Sequence, residues 1–417
     1  MPSSPGSIVV DPTTNFLYVG HTVQGRIAVV NKTTLATVAT ISIPDRPGGH
    51  HWLAGQLIDT PRTPDVMVIS PATRTLYATT GGSEVVVVDL ETNAFNSTIE
   101  TGGSLKSIAI DPESGRVYAA DSDGRIVVID DRTHTVIGEI PIPPVDRSSP
   151  WDPEGVAVDP NTQLVYAVDS DGPTMWTLDP NQSTVVSSVA VGDQSQQVAV
   201  AVNPDTGIAY AANYFDGTLV SVDAVTRTPA TTRAGLPPTD IAVDAAENFI
   251  YLGASNNESV AVVDGRSFAL VTIFRTGSNP TGLAIDPNSR ALFVIDGLDS
   301  TISRWDPTLS SAPEVSESSS TPDGTQDDFT QALSTFLPAG YDPALLIEAL
   351  AENDYGTRTC SGLEEGARYQ VSGSGQFLMY VYGRRIADSI NSEEDLNTFF
   401  RIIVENYCPE NLDLIPE

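Results

Sequence analysis

The sequence predicts an all-β, seven-bladed β-propeller of four-stranded antiparallel blades, followed by a small C-terminal α-helical domain. Two observations predict it: three residue markers held in register through seven copies of one unit, and a change to helical periodicity after residue 326. The first marker is an Asp-Pro-like pair at Asp11-Pro12, Ser70-Pro71, Asp111-Pro112, Asp159-Pro160, Asn203-Pro204, Asp244-Ala245 and Asp286-Pro287. Seven residues after its first member stands an aromatic: Tyr18, Tyr77, Tyr118, Tyr166, Tyr210, Tyr251 and Phe293. Nineteen or twenty residues after it stands an Asp or Asn: Asn31, Asp89, Asp130, Asp179, Asp223, Asp264 and Asp306. Copies follow at 41 to 48 residues, stretched to 59 between the first two. Internal periods of this size mark repeat architectures, in which each unit buries its apolar face against its neighbours.

Each copy reads as four strands. In the third they are Ser107–Ile110, Arg116–Ala119, Arg125–Ile129 and Thr135–Ile140, rich in β-branched residues. "DPESG" and "DSDG" between them supply turn chemistry. A small residue near the end of the first strand (Ala109, Ala157, Ala201, Ala242 and Ala284, with Val9 and Val68 in the first two copies) suits the crowded innermost strand of a radial array.

The skeleton "IDP…VYAAD…IVVID…VIGEI" resembles the YVTN family of β-propeller repeats from residue 7 to about 308. That family is built from bacterial and archaeal proteins, many of them secreted or at the cell surface. The resemblance implies a fold and a habit of binding at one face, without implying one reaction.

In such a propeller the loops leading into each first strand and those joining strands two and three emerge on one face. Ten residues after each Asp-Pro position, at the start of the second of these loops, stand His21, Thr80, Asp121, Asp169, Asn213, Ala254 and Asp296. This ring is the first place to expect a site. The longest insertion, Pro44 to Asp65, adds His50, His51 and Trp52 to the same face. His21, His50 and His51 offer imidazoles to a transition metal, although adjacent histidines do not readily face one ion and no His-x-His or His-x-x-x-His spacing is present. The loop Pro143 to Gly155 brings Arg147, Trp151, Asp152 and Glu154, an aromatic and charged shelf for a sugar or peptide whose two acids also form a candidate acid/base pair. "DSDG", at Asp121–Gly124 and Asp169–Gly172, has the alternating carboxylates of a calcium loop but no Glu where an EF-hand needs one, and hairpin turns favour the same letters. No cofactor is therefore expected, with Ca²⁺ or a transition metal as the alternative. Nucleophilic catalysis has no support: there is no Gly-x-Ser-x-Gly elbow, P-loop or Cys-x-x-Cys-His haem motif.

The propeller is expected over 1–311, a Ser, Pro and acid-rich linker over 312–326, and the helical domain over 327–417. "DPALLIEALAEN" places Asp342 as a cap and Pro343 at the first helical position, and "SEEDLNTFFRIIVENYCP" opens on Ser392. The segment Ala312–Val315 is a candidate outer strand for the last blade. Cys360 and Cys408, the only two cysteines, are a candidate disulfide worth about 3–4 kcal/mol in the chain-entropy model. With "DFTQAL" and "FFRIIVENYCP", this region resembles a small two-cysteine helical domain of exported actinobacterial proteins.

The 417 residues carry 54 acids against 21 bases, a net charge of −33, and only two lysines, Lys32 and Lys106. That balance opposes binding to nucleic acid, which needs a basic footprint. No run of about 18 apolar residues predicts membrane insertion. A first 359 residues without cysteine and a later pair fit an oxidising, extracellular or cell-surface setting. "MPSSPGSIVVDP" shows no basic or apolar leader, so export implies a leader already removed, and a cytoplasmic protein is the alternative. The functional expectation is a binding or scaffold protein that takes a protein or small ligand on the propeller face. The helical domain would serve assembly, anchoring or self-association. A lactonase-like or metal-dependent enzyme with its site at the channel mouth is the alternative.

Overall fold

The computed structural model describes residues 5–306 apart from 23, 47–49, 54–55, 60–61, 144–152, 170–171, 173 and 193–196, and describes the backbone alone at 50–53, 56–59, 153, 197–198 and 256. The chain divides into two units, Met1–Glu314 and Val315–Glu417. The expected linker, helical domain, Cys360 and Cys408 lie outside the described residues.

The repeat becomes seven antiparallel sheets arranged as a propeller. Blades 1 to 6 each have four strands in sequence order, and blade 7 has three among the described residues, Pro280–Ile285, Leu292–Asp296 and Thr301–Trp305. Ala312–Val315, the candidate fourth strand, lies outside them. The innermost strands are Pro5–Val10, Met67–Ser70, Leu105–Asp111, Pro153–Val158, Gln197–Asn203, Asp240–Asp244 and Pro280–Ile285, and neighbours lie side by side around the axis.

Side chains alternate across a strand, so each blade sends one set to each neighbouring blade. In the second strand of blade 3, Val117 and Ala119 pack toward blade 2 while Tyr118 and Ala120 pack toward blade 4. Both faces are buried, which is why the second and third strands read as nearly continuous apolar runs. Seven apolar clusters result, each shared by two adjacent blades. The seventh joins Leu17, Val19 and Val30 of blade 1 to Phe293 and Ile295 of blade 7 and closes the ring. The aromatic marker is therefore a seam residue: six of the seven are at most 1% exposed, Tyr251 being half-buried.

Closure uses no strand exchange among the described residues. Blades 1 and 7 meet through side chains instead. Lys32 Nζ lies 3.0 Å from Asp286 Oδ2 and donates to Asp11 O (3.1 Å), and Thr281 Oγ1 donates to Pro5 O (3.2 Å). Asn288 Nδ2 donates to Pro12 O at 2.6 Å.

The insertion between blades 1 and 2, expected as a loop, contains a two-stranded antiparallel ladder in which His50–Leu53 pairs with Gln56–Asp59. Arg62 fastens the insertion to blade 2. Its Nη1 donates to Pro44 O (2.7 Å) and Asp45 O (2.8 Å), and its Nη2 to Glu84 Oε1 (3.2 Å).

Candidate functional site: the channel mouth

The expected ring of residues ten positions after Asp-Pro does lie on one face, at or just past the end of each second strand, but it is turned into the fold. His21, Asp121, Asn213, Ala254 and Asp296 are 0–2% exposed, and Thr80 and Asp169 are also buried. Their bonds are internal. Asp121 accepts from Arg125 Nε (2.9 Å) and Asp123 N (3.0 Å), and Asn213 Nδ2 donates to Val191 O (2.7 Å) and Thr218 Oγ1 (3.1 Å). Asp296 accepts from Thr301 Oγ1 at 3.3 Å, and burial pushes its pKa up. Several ring side chains fill room left by a glycine just ahead of the same blade: a Cβ on Gly103 or Gly277 would collide with the carboxylate of Asp121 or Asp296. These residues thus tie the second-to-third-strand turn to the loop that leads into their blade.

His50, His51 and Trp52 occupy a strand of the insertion, with side chains outside the described residues. Arg147, Trp151 and Asp152 lie wholly outside them. Among the described residues no three His, Cys, Asp or Glu side chains converge as a metal cluster.

The mouth itself is lined one strand further in, by residues that, Glu154 apart, the sequence did not single out. In blades 1, 3, 4, 5 and 7 the pairing of first and second strands shifts by one residue at the same place, between Pro5 and Ser7, Leu105 and Ser107, Pro153 and Gly155, Gln197 and Ala199, and Pro280 and Gly282. Each shift is a β-bulge that takes one residue out of the ladder and re-aims it. The residues released are Gly6, Lys106, Glu154, Val198 and Thr281. Four of them, Gly6, Lys106, Glu154 and Thr281, are half-buried at the mouth. Asp65 and Thr239 hold the same place in the two unbulged blades and are half-buried too.

Beside Thr239 stands Asp240. Its Oδ2 accepts from Leu283 N of blade 7 (2.7 Å) and its Oδ1 from Ile241 N (2.8 Å). Burial raises its pKa to about 6, against the lowering by those two N–H groups. Asp65 is likewise pushed up by burial, opposed by the Thr63 hydroxyl. The mouth therefore offers one ammonium, three carboxyl groups and two hydroxyls on rigid strand ends, with one carboxyl protonating close to neutral pH. Such a set can recognise a polar or zwitterionic group by charge and hydrogen bonding.

No family model matches the chain. It is 24% identical over 136 residues to the uncharacterised protein YncE of Salmonella typhi and of Salmonella typhimurium, a stretch that is 32% of this chain and 36% of each relative. The chain thus spans about a third of the length of the curated relatives it matches. A solved structure of Kuenenia stuttgartiensis hydrazine synthase superposes with a TM-score of 0.60 at 16% identity, over 73% of this chain and 95% of that one. The chain is a seven-bladed β-propeller. At this identity the structural likeness carries the fold alone.

Proposed function

We propose that the protein is a non-enzymatic binding or scaffold module that takes a small polar ligand or a protein segment at its channel mouth. One observation carries this reading. Positions that build the blades repeat almost unchanged, whereas the bulged position at the mouth is a different residue in every blade that has it: Gly6, Lys106, Glu154, Val198 and Thr281. A constant frame that presents varied residues on one rim is how repeat proteins build binding surfaces. The YVTN-like character of the repeats and the local match to YncE accompany this reading. Work outside the cytoplasm belongs to the proposal, supported by the confinement of both cysteines to the last 60 residues. A Cys360–Cys408 peptide, found by mass spectrometry without reduction, would support export, and two free thiols would count against it.

The test is a binding screen of sugars, amino acids and short peptides against the wild type and a mouth variant, Lys106→Ala with Glu154→Ala and Asp240→Asn. A variant at the opposite end, Arg304→Ala, serves as control. Ligands should bind the wild type and the control but not the mouth variant; binding indifferent to the mouth residues would overturn the proposal. The enzyme alternative rests on the insertion bearing His50 and His51. A stoichiometric transition metal lost with His50→Ala or His51→Ala would favour it.

A further inference from the structure

We propose that the seam between blades 3 and 4 binds a monovalent metal cation at Asp111 and Tyr118, where three other seams carry a side-chain cation. Sister seams supply the comparison. One oxygen of each Asp-Pro carboxylate serves its own turn: Thr13 N donates to Asp11 Oδ1 (2.9 Å), Asn288 N to Asp286 Oδ1 (3.2 Å) and Glu113 N to Asp111 Oδ1 (3.0 Å). In three seams the other oxygen faces the following blade and meets a positive charge there, whereas Asp159 Oδ2 accepts instead from Thr162 Oγ1 of its own turn at 2.8 Å. Arg74 Nη1 lies 2.7 Å from Asp11 Oδ2, Arg290 Nε 2.9 Å from Asp244 Oδ2, and Lys32 Nζ 3.0 Å from Asp286 Oδ2. The cation comes from one of two places in that blade, four residues after its own Asp-Pro position (Arg74, Arg290) or twenty-one after it (Lys32).

Blade 4 has Gln163 and Pro180 at those places. Gln163 Oε1 accepts from Asn181 Nδ2 (3.4 Å), and proline has no donor. Arg116 of blade 3 is engaged with Asn181 Oδ1 at 2.8 Å. Asp111 is 0% exposed and its Oδ2 has no hydrogen-bond partner; the Tyr118 hydroxyl makes no well-aligned bond, although the Arg116 charge and the Ser114 side chain lie close enough to act on it. In two other seams the tyrosine and the Asp-Pro-position residue converge on one group of the next blade. Tyr77 Oη (2.8 Å) and Ser70 Oγ (2.6 Å) both donate to Asp131, and Tyr210 Oη (3.3 Å) and Asn203 Nδ2 (2.6 Å) both donate to Asn248 Oδ1. By repeat equivalence, Asp111 Oδ2 and the Tyr118 hydroxyl face a common point.

Ligand class follows from the donors. A carboxylate and a phenol are hard oxygen ligands suited to Na⁺ or K⁺. One carboxylate balances one positive charge, and no group of three metal-ligating side chains occurs among the described residues, so a divalent ion lacks the ligands it would need. A water molecule would satisfy the hydrogen bonds but would bring no positive charge to the carboxylate, which lacks the hydroxyl that Thr162 gives Asp159.

The experiment is anomalous diffraction from crystals of the full chain with Rb⁺ as the only monovalent metal, together with melting curves in RbCl, KCl, NaCl and choline chloride at equal ionic strength. An Rb⁺ peak between Asp111 and Tyr118 is expected, with a midpoint a few degrees higher in one or more metal chlorides than in choline chloride. Gln163→Arg restores the arginine of blades 2 and 7 and should abolish both the peak and the difference; Asp111→Asn should do the same if that variant fails to fold. A water or no density at the point, with equal midpoints in all four salts, overturns the proposal.

Discussion

The two ends of the innermost strands are built by opposite rules. At the C-terminal end, Asp11, Asp111, Asp159 and Asn203 are 0% exposed, and Asp244 and Asp286 are nearly so. Most bond to the following blade, and the residue type scarcely varies. At the N-terminal end the ladder slips by one residue in five blades, and the five residues released are all different. One end closes a ring; the other leaves a rim free to diversify. A repeat protein can therefore change its ligand without changing its seams.

The comparison is broken most severely by attacking a seam. Lys32→Met leaves Asp286 buried without its partner in the seam that no exchanged strand supports among the described residues, and should cost about 3–5 kcal/mol, read as a lowered denaturation midpoint. A loss under about 1 kcal/mol would mean the seam is held by its apolar cluster alone.

A subtler break exchanges residue types across a seam. Blade 2 has Ser70 where most blades have Asp, and the carboxylate comes instead from Asp131, whose Oδ2 accepts from Ser70 Oγ at 2.6 Å. Ser70→Asp should cost on the order of 2–4 kcal/mol, because it buries two carboxylates together. Adding Asp131→Lys recreates the Lys32–Asp286 arrangement and should recover most of the loss. Without recovery in the double variant, the seams are not interchangeable.

At the mouth, Asp240 couples charge to stability. Its folded pKa of about 6 lies above the ordinary 3.8, so the folded state holds the proton more tightly than the unfolded one. This contribution falls as pH rises from about 4 through 6 and is unfavourable above that range. Asp240→Asn should flatten the midpoint against pH over that window and stabilise the protein at pH 7 by on the order of 1–2 kcal/mol, a figure reduced for partial exposure. An unchanged pH profile would place the titration elsewhere. Smallest of all, Lys106→Ala and Glu154→Ala should each change stability by less than about 0.5 kcal/mol while removing ligand binding.

The fold was legible because seven copies put the same turn, aromatic and acid at fixed distances, and each mark had one structural job. Tyr118 filling the seam toward blade 4 shows why the rhythm had to repeat. The site was legible only as a face. Counting ten residues from each Asp-Pro pair reached Asp121, Asn213 and Asp296, which do lie there, but counting cannot tell a side chain that closes a turn from one that meets a ligand. The bulge before Ser107 changes register without changing composition, so Lys106 carried no mark in the sequence. Lys32 meets Asp286 across 254 residues, and only ring closure brings them together. The paired strands at His50–Asp59 were not legible, because the insertion stands outside the repeat and gave only a loop.

The most direct measurement is an alanine series read by thermal denaturation along both ends of the same strands. One row is Asp11, Asp111, Asp159, Asn203, Asp244 and Asp286; the other is Asp65, Lys106 and Glu154. The account predicts midpoints lowered by several degrees throughout the first row and nearly unchanged or raised in the second. Equal losses in both rows would show that the mouth residues hold the ring together and would contradict the division between seam and rim.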